Sequence, residues 1–455
     1  MFKKIMILNR GAIAVRILRT LKEMNINSLV VYSTADKDLP YVKEADEAVE
    51  LEGNTAQETY LNQDKIIGII KEFKVDAVHP GYGFLAENTS FARKLDEIGV
   101  KFIGPSTKLI DLMADKNRAR NTMAQYSMPI GAGSDRLPDD EEEVKRIANG
   151  IGYPVLIKPC NGGGGIGMIP VYKEEKLLKS IQKAKSMAEK FFSDDGIYLE
   201  SYLENPRHIE IQILGDLEGN VVNLFERDCS IQRRHQKIIE ESPAPNIERA
   251  ELNDVLEKVT ASIQELGYDN VGTVELLRGS NGNYSFLEIN TRLQVEHAVT
   301  EEIVDIDLVK SQILSAAGAS LVTILPDEIT QRNHAIEVRI YAEDPVTFYP
   351  SPGVLEVFEL PDEEGIRVET GFTKGNKITP YYDPMIAKII VKALDRTQAI
   401  NQLIAYLQKV KIEGLKTNVP FLLFALNSSQ FRAGNVTTKL TDELVEQFKN
   451  ELIKH

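Results

Sequence analysis

Phe286-Leu287-Glu288-Ile289-Asn290-Thr291-Arg292-Leu293-Gln294-Val295-Glu296 is the stretch on which the reading of this chain turns. Its polar residues, Glu288, Asn290, Arg292, Gln294 and Glu296, alternate with Leu287, Ile289, Thr291, Leu293 and Val295. Period two is the strand period, so an extended segment puts all five polar groups on one face. Same-face neighbours are then roughly 6.5–7 Å apart, the spacing of ligands along a polyphosphate. A solvated edge strand gives the same alternation. Its exposed face, however, is usually a loose mix of Lys, Glu and Thr, not two carboxylates, two amides and a guanidinium.

The segment before it sharpens the choice. Thr273-Val274-Glu275-Leu276-Leu277 leads into Gly279-Ser280-Asn281-Gly282-Asn283. Asn-Gly favours the centre of a two-residue hairpin turn. With Asn281 and Gly282 as the loop, Ser280 faces Asn283 and Glu275 faces Glu288. Opposed carboxylates would have Cβ atoms about 4.5–5.5 Å apart and would repel. A divalent cation between them removes the repulsion, and oxygen ligands suit Mg²⁺ or Mn²⁺ bound together with phosphates. Asn290 could supply a third oxygen. The plainer alternative is a pair of solvated surface glutamates.

Composition sets the bounds. A chain of 455 residues is long enough for two or three domains. With 53 Lys plus Arg against 68 Asp plus Glu, the formal charge is −15, which argues against general nucleic-acid binding. Two cysteines, Cys160 and Cys229, make no disulfide framework and fit a reducing compartment. The apolar run Ile5 to Leu8 is too short for a signal peptide, and no run is long enough to cross a bilayer. A cytoplasmic protein with no membrane partner is expected.

In chain order, Lys4–Leu8, Ser28–Tyr32 and Ala77–Val78 read as strands, and Ile13–Met24 and Gln63–Phe73 as helices. That alternation is the pattern of a parallel, doubly wound domain, whose ligand side is the carboxyl end of its strands. Asn9-Arg10-Gly11 and His79-Pro80-Gly81-Tyr82-Gly83 lie there. Neither opens a GxGxxG, so no dinucleotide is expected. A second region starts near Asp115, with Lys116 just before a helix Asn117–Tyr126. A strand Pro154–Lys158 runs into Asn161-Gly162-Gly163-Gly164-Gly165-Ile166-Gly167-Met168. Such a loop frees backbone N–H groups to wrap an anion, and Lys158 at the strand end favours phosphate. A flexible connection is the alternative, and no Walker motif follows.

Ile197–Tyr202 reads as a strand. His208, Glu210 and Gln212 share one face of the alternating run that follows. Glu226-Arg227-Asp228-Cys229-Ser230-Ile231-Gln232-Arg233-Arg234-His235-Gln236-Lys237 is either a polar surface loop or an active-site edge. Helices are expected at Leu252–Leu266 and Asp307–Gly318. After Pro326 the chain turns β-rich, with strands at Ala335–Tyr341, Val354–Leu360, Ile366–Thr370 and Ile386–Lys392 and one helix at Thr397–Val410.

These residues carry a resemblance that covers essentially the whole chain. Besides the motifs quoted, it includes Phe84-Leu85-Ala86-Glu87-Asn88, Phe102-Ile103-Gly104-Pro105, Glu204-Asn205-Pro206-Arg207-His208-Ile209-Glu210, Val295-Glu296-His297, His334-Ala335-Ile336-Glu337-Val338-Arg339 and Tyr381-Tyr382-Asp383-Pro384-Met385. The chain resembles the biotin carboxylase component of biotin-dependent carboxylases, within the ATP-grasp superfamily. The resemblance implies an α/β protein in three parts. These are a Rossmann-like N-terminal domain at 1–114, an ATP-grasp domain at 115–330 with a mobile lid at about 130–203, and a β-rich C-terminal domain at 331–455. It implies that ATP, bicarbonate and biotin on a carrier protein give ADP, phosphate and carboxybiotin, the first half-reaction of acetyl-CoA carboxylase or of a related biotin-dependent carboxylase.

By the same resemblance Lys116, Lys158, Gly163, Gly164, Gly165, Glu200, Leu203, His208, Gln232 and His235 bind ATP. Glu275, Glu288 and Asn290 hold Mg²⁺ or Mn²⁺ at two sites. Lys237, Arg292, Gln294 and the Val295 backbone hold bicarbonate, and Tyr82, Gly83 and Arg339 face biotin. Glu296 is the general base, Arg339 stabilises the enolate of the biotin urea, and Lys237 and Arg292 complete the catalytic set. A homodimer is implied, with Arg19 and Glu23 at contact positions. The implied partners are a biotin carboxyl carrier protein and a carboxyltransferase. No Ala-Met-Lys-Met attachment motif is present.

The chain departs from the family pattern at Ala12, where a Glu is usual, and at Ile166 and Ile169, where basic residues are common. Two other functions compete. Another ATP-grasp ligase would lack Arg339 in its motif and the Tyr-Tyr-Asp-Pro-Met tail. A nucleotide-binding relative without turnover would not need Glu275, Glu288, Glu296, Lys237 and Arg339 together.

Overall fold

The structure, a computed structural model, describes residues 1–160, 167–192, 194–234 and 236–454. The N-terminal part is a five-stranded parallel sheet in the order Glu47–Glu50, Asn27–Tyr32, Lys4–Ile7, Ala77–His79, Lys101–Phe102. Its central strand is apolar on both faces because helices cover both. Ile5 and Ile7 enter one core while Met6 and Leu8 enter another, as period two requires. Helix Gly11–Glu23 buries Ile13, Ala14, Ile17, Leu18 and Leu21, an i, i+4 stripe.

At the carboxyl end of the sheet, Asn9 Nδ2 donates to the carbonyls of Pro80 and Tyr82, each at 2.7 Å. Gly81 between them has φ +62°, and a Cβ there would meet Asn9 Nδ2 at 2.9 Å, so the turn needs glycine.

The centre of the molecule is an eight-stranded antiparallel sheet. Its order is Tyr284–Asn290, Val271–Arg278, Arg207–Gly215, Val221–Arg233, Gln236–Ser242, His334–Tyr341, Met385–Ala393, Ile366–Thr370. The sheet runs through position 330, so strands from both sides of that expected boundary are hydrogen-bonded neighbours. A separate three-stranded sheet, Ile169–Val171, Val155–Pro159 and Ile197–Ser201, packs on helices Glu141–Ile151 and Leu177–Phe192. This unit, which falls within the lid expected at about 130–203, has its own core, built from Val144, Ile157, Ile181 and Leu199 among others. No helix among the described residues is long and apolar enough to cross a membrane.

Three local readings change. The run from Glu226 is strand up to Arg233, not a surface loop; Glu226, Arg227 and Asp228 are buried because their side chains meet polar partners inside the sheet. The strand from Tyr284 stops at Asn290. The Thr291 N–H is taken by Glu87 Oε1 at 3.0 Å, the chain leaves the sheet, and Glu296 sits at the head of helix His297–Val304. After helix Arg396–Leu407 come three helices absent from the sequence reading, Val419–Asn427, Ser429–Arg432 and Leu440–Lys454. Val419-Pro420-Phe421-Leu422-Leu423-Phe424-Ala425-Leu426 is apolar nearly throughout, so no helical period marks it.

The hairpin pairs Glu275 with Glu288 as expected, but by another route. Gly279 N–H donates to the Asn283 carbonyl at 2.9 Å, so the loop has three residues with Gly282 at φ +81°. Near the turn Leu276 therefore faces Phe286, and Leu287 bulges out to restore the glutamate pair.

A lid with its own core should unfold as its own unit. Ile157→Ala, at a fully buried lid position, should cost about 2–5 kcal/mol. Amide protection should fall in Val155–Pro159 and Ile197–Ser201 before it falls in the large sheet. Equal loss in both would show that the lid is not a separate cooperative unit.

Candidate active site

Antiparallel register lines up a row of charges across the central sheet: Glu288 faces Glu275, Glu275 faces Glu210, and Glu210 faces Arg227. Lys237, opposite Gln232 at the next turn of the sheet, reaches into this row. Its Nζ donates to Glu210 Oε1, to Glu275 Oε1 at 3.1 Å and to Glu296 Oε1 at 2.7 Å. Burial disfavours the ammonium, but the three carboxylates more than reverse this and hold its pKa well above the lysine range.

The carboxylates answer in kind. Burial pushes Glu275, Glu210 and Glu296 towards the neutral acid, yet the Lys237 charge keeps all three below the usual carboxylate range. His208 Nε2 lies 3.2 Å from Glu210 and 3.1 Å from Glu275. Burial lowers its pKa, but Glu275 and Glu210 raise it to about 10. Its Nδ1 is 2.8 Å from the Gln232 amide.

Glu288 Oε2 pairs with Lys116 Nζ at 2.6 Å, and Asn290 Nδ2 donates to Glu275 Oε1 at 2.7 Å. Glu275 and Glu288, directly opposite one another, and Asn290, whose Oδ1 accepts from Arg292, can supply oxygen ligands. That donor set fits Mg²⁺ or Mn²⁺. Glu210, left without a role by the sequence reading, stands in the same row.

From Thr291 the chain carries its polar groups round a turn. Arg292 donates through Nε to Glu87 Oε2 at 2.9 Å, through Nη1 to Gln294 Oε1 at 3.2 Å and through Nη2 to Asn290 Oδ1 at 3.2 Å. Gln294 Nε2 donates to Glu275 Oε1 at 3.2 Å. Glu87, which aims this guanidinium, was visible in its motif but had no role assigned. Arg339 Nη2 bridges Glu296 Oε2 at 2.9 Å and Glu240 Oε1 at 2.5 Å. Arg339, Tyr82, Gly83 and Val295 line one cavity of about 610 Å³, with Ala12 on its wall.

Lys158 and Glu200 pair inside the lid at 2.9 Å, with Arg120 Nε 3.6 Å from Glu200. Leu203 lines a different cavity of about 580 Å³, at the junction of the lid with the Tyr284 hairpin. Gly163, Gly164, Gly165, Ile166 and His235 lie outside the described residues.

A lid of separate core set against an antiparallel sheet bearing a carboxylate row defines an ATP-grasp architecture. The model of the carbamoyl-phosphate synthase L chain ATP-binding domain matches residues 115–324. Models of the biotin carboxylase N-terminal and C-terminal domains match 1–110 and 337–443. A biotin carboxylase of Halalkalibacterium halodurans is 50% identical over 96% of this chain and 97% of its own length. Biotin carboxylase 2 of Bacillus subtilis is 47% identical over 96% and 98%. The biotin carboxylase domain dimer of Hydrogenobacter thermophilus 2-oxoglutarate carboxylase, solved with MgADP, ADP and bicarbonate, superposes with a TM-score of 0.92. It is 44% identical, covering 98% of this chain and 99% of that one. The chain belongs to the biotin carboxylase family of ATP-dependent ligases.

Glu240 and Glu337 face one another across two strands, fully buried. Burial raises their pKa to about 8 and about 7, and Arg339 and Lys388 only partly oppose it. The folded protein therefore binds protons here that the unfolded chain releases near the ordinary carboxylate pKa. This stabilisation is complete below that pKa and is lost as pH rises through about 7–8. The thermal midpoint should fall across that window, and Glu240→Gln should flatten the fall. A slope unchanged in the variant would remove Glu240 from the explanation.

Proposed function

We propose that the chain carboxylates biotin on a carrier protein, using ATP and bicarbonate through carboxyphosphate. The observation that carries this reading is the position of Glu296. It is held between Lys237 and Arg339, beside Arg292 and Gln294, where the carboxylate row meets the cavity lined by Tyr82 and Gly83. Bicarbonate is a poor nucleophile until it loses its proton. Arg292 offers it a planar fork, already oriented by Glu87 and Gln294. An anion that draws the Lys237 charge away from Glu296 raises the basicity of Glu296 as the substrate arrives.

ATP is read as lying between lid and sheet, against Lys116, Lys158, Glu200, Leu203, His208, Gln232 and His235, with Gly163, Gly164 and Gly165 closing over its phosphates. Glu275, Glu288 and Asn290 would hold the metal ions, which would supply positive charge against the transferring phosphoryl group. Arg339, always charged, meets the biotin oxygen as that oxygen gains negative charge, an interaction that grows in the transition state.

The finer reading is a component of acetyl-CoA carboxylase in fatty-acid synthesis, cytoplasmic and homodimeric. Arg19 and Glu23, both exposed, stand at the dimer contact, and a biotin carboxyl carrier protein and a carboxyltransferase are the partners. The carboxyltransferase, not this chain, would choose the acceptor.

Parallel assays of phosphate release and carboxybiotin test the division of roles. Arg339→Ala should lose carboxybiotin about 10²–10³-fold and keep bicarbonate-dependent ATP cleavage. Glu296→Ala should lose both and still bind ATP. If Arg339→Ala loses ATP cleavage as completely as Glu296→Ala does, Arg339 acts on carboxyphosphate formation too. Glu288→Gln should abolish turnover with the fold intact, because Glu288 lies at the edge of the sheet and is partly exposed. Normal turnover of that variant with Mg²⁺ would remove the glutamate pair from the metal site.

A further inference from the structure

The turn 291–296 belongs to no strand or helix, yet it carries Arg292, Gln294, the Val295 N–H and Glu296. Such a turn keeps its shape only where its backbone is tied down. Its carbonyls from Leu293 to Glu296 are tied in succession. Leu293 O accepts from Arg292 Nη1 at 3.2 Å, and Glu296 O accepts from Val299 N–H at 3.1 Å. Gln294 O lies 2.8 Å from His297 Nδ1. Burial lowers the pKa of His297 to about 4, so the ring is neutral and its proton sits on Nδ1, the atom that faces the carbonyl.

Among the last four carbonyls of the turn, that of Val295 is held from outside. It accepts from Lys388 Nζ, 93 residues further on, in the strand Met385–Ala393. Lys388 is 1% exposed. Its other partners are Glu369 Oε2 at 3.0 Å and Glu337 Oε2 at 3.2 Å. An ammonium has three N–H donors, and here each has an acceptor. Two are carboxylates that any buried cation could neutralise; the third is the carbonyl next to Glu296.

We propose that Lys388 is a positioning residue for bicarbonate: by fixing the Val295 carbonyl it sets the Val295–Glu296 peptide and hence the place of the Glu296 carboxylate. The peptide is planar, so holding its oxygen orients the whole unit up to the Glu296 Cα. In sequence Lys388 shares its strand face with Ile386, Ile390 and Lys392, and spacing alone does not separate it from Lys392, which is partly exposed. The inference rests on the proposed reading of the turn as the bicarbonate site.

Removing Lys388 alone would also leave the buried Glu337 carboxyl without its partner and shift its protonation, so the test removes that charge as well. Glu369 retains Arg16, Arg19 and Arg367, and Glu337 is neutralised by a second change. Bicarbonate-dependent ATP cleavage is compared in the wild type, Glu337→Gln, Lys388→Met with Glu337→Gln, and Lys388→Arg. Glu337→Gln alone should stay within about twofold of the wild type in bicarbonate KM. The double variant should raise bicarbonate KM about tenfold or more, leave ATP KM within about twofold, and keep a cooperative thermal transition. Lys388→Arg keeps the charge and the fold but not the reach of the ammonium, and its bicarbonate KM should fall between the two. An unchanged bicarbonate KM in a folded double variant overturns the proposal. If the double variant does not fold, an unchanged KM in Lys388→Arg does so. A wild type that cleaves ATP without bicarbonate would overturn the proposed function, and this inference with it.

Discussion

The Lys237 ammonium binds together three carboxylates that come from three different elements: Glu210 and Glu275 from neighbouring strands, and Glu296 from the head of a helix. Taking each ion out of water costs several kcal/mol, so none of these groups is tolerable alone. The requirement is geometric as well as electrostatic. Glu210 and Glu275 can share one Nζ only because their strands pair in the register that sets them side by side. A slip of one residue would turn one of them to the opposite face. The polar layer of the sheet therefore specifies its alignment, while the apolar layer beneath it, with Ile211, Val274 and Ile289, supplies the burial.

The same arrangement shows which parts of the molecule could be read from the chain and which could not. Alternation identified the strands and their polar faces, because a two-residue period is local. The facing of Glu275 and Glu288 was reached from a two-residue turn that is not there; the real loop is one residue longer, and the bulge at Leu287 takes up the difference. Turn chemistry and bulge are separate devices, and alternation cannot distinguish them. The end of the strand at Asn290 was illegible for another reason. The group that draws the chain out of the sheet, Glu87, lies 204 residues away. Helix Val419–Asn427 was missed because its sequence is apolar on every face, although only Phe421, Leu422, Ala425 and Leu426 are buried, and a uniformly apolar run shows no period.

Long-range ties of this kind make the site a product of the whole chain. Glu87 from the N-terminal sheet region aims Arg292, and Arg339 from beyond residue 330 braces Glu296. The eight-stranded sheet passes without a break from the hairpin of Glu275 to the strand of Lys388. One large core joins Ile17 of the first helix, Val299 behind Glu296 and Ile389 of the strand that carries Lys388. An error in docking either outer part would reach the reacting groups through side chains that are themselves buried and tightly packed, where positional freedom is small.

On the proposed function, the cations already present also act as stand-ins. Lys116 pairs with Glu288, and Lys237 with His208 satisfies Glu275. A divalent ion on Glu275 and Glu288 would take over that neutralisation, leaving the Lys116 ammonium free for phosphate and part of the Lys237 charge for bicarbonate. Each exchange swaps one opposite charge for another at nearly constant local charge, so no buried ion is left bare while the substrates assemble. Glu296 differs, because its partners Lys237 and Arg339 are the groups that bicarbonate and biotin would engage. It loses stabilising charge as the substrates bind, and a carboxylate that is a weak base in the empty site becomes a stronger one when there is a proton to take.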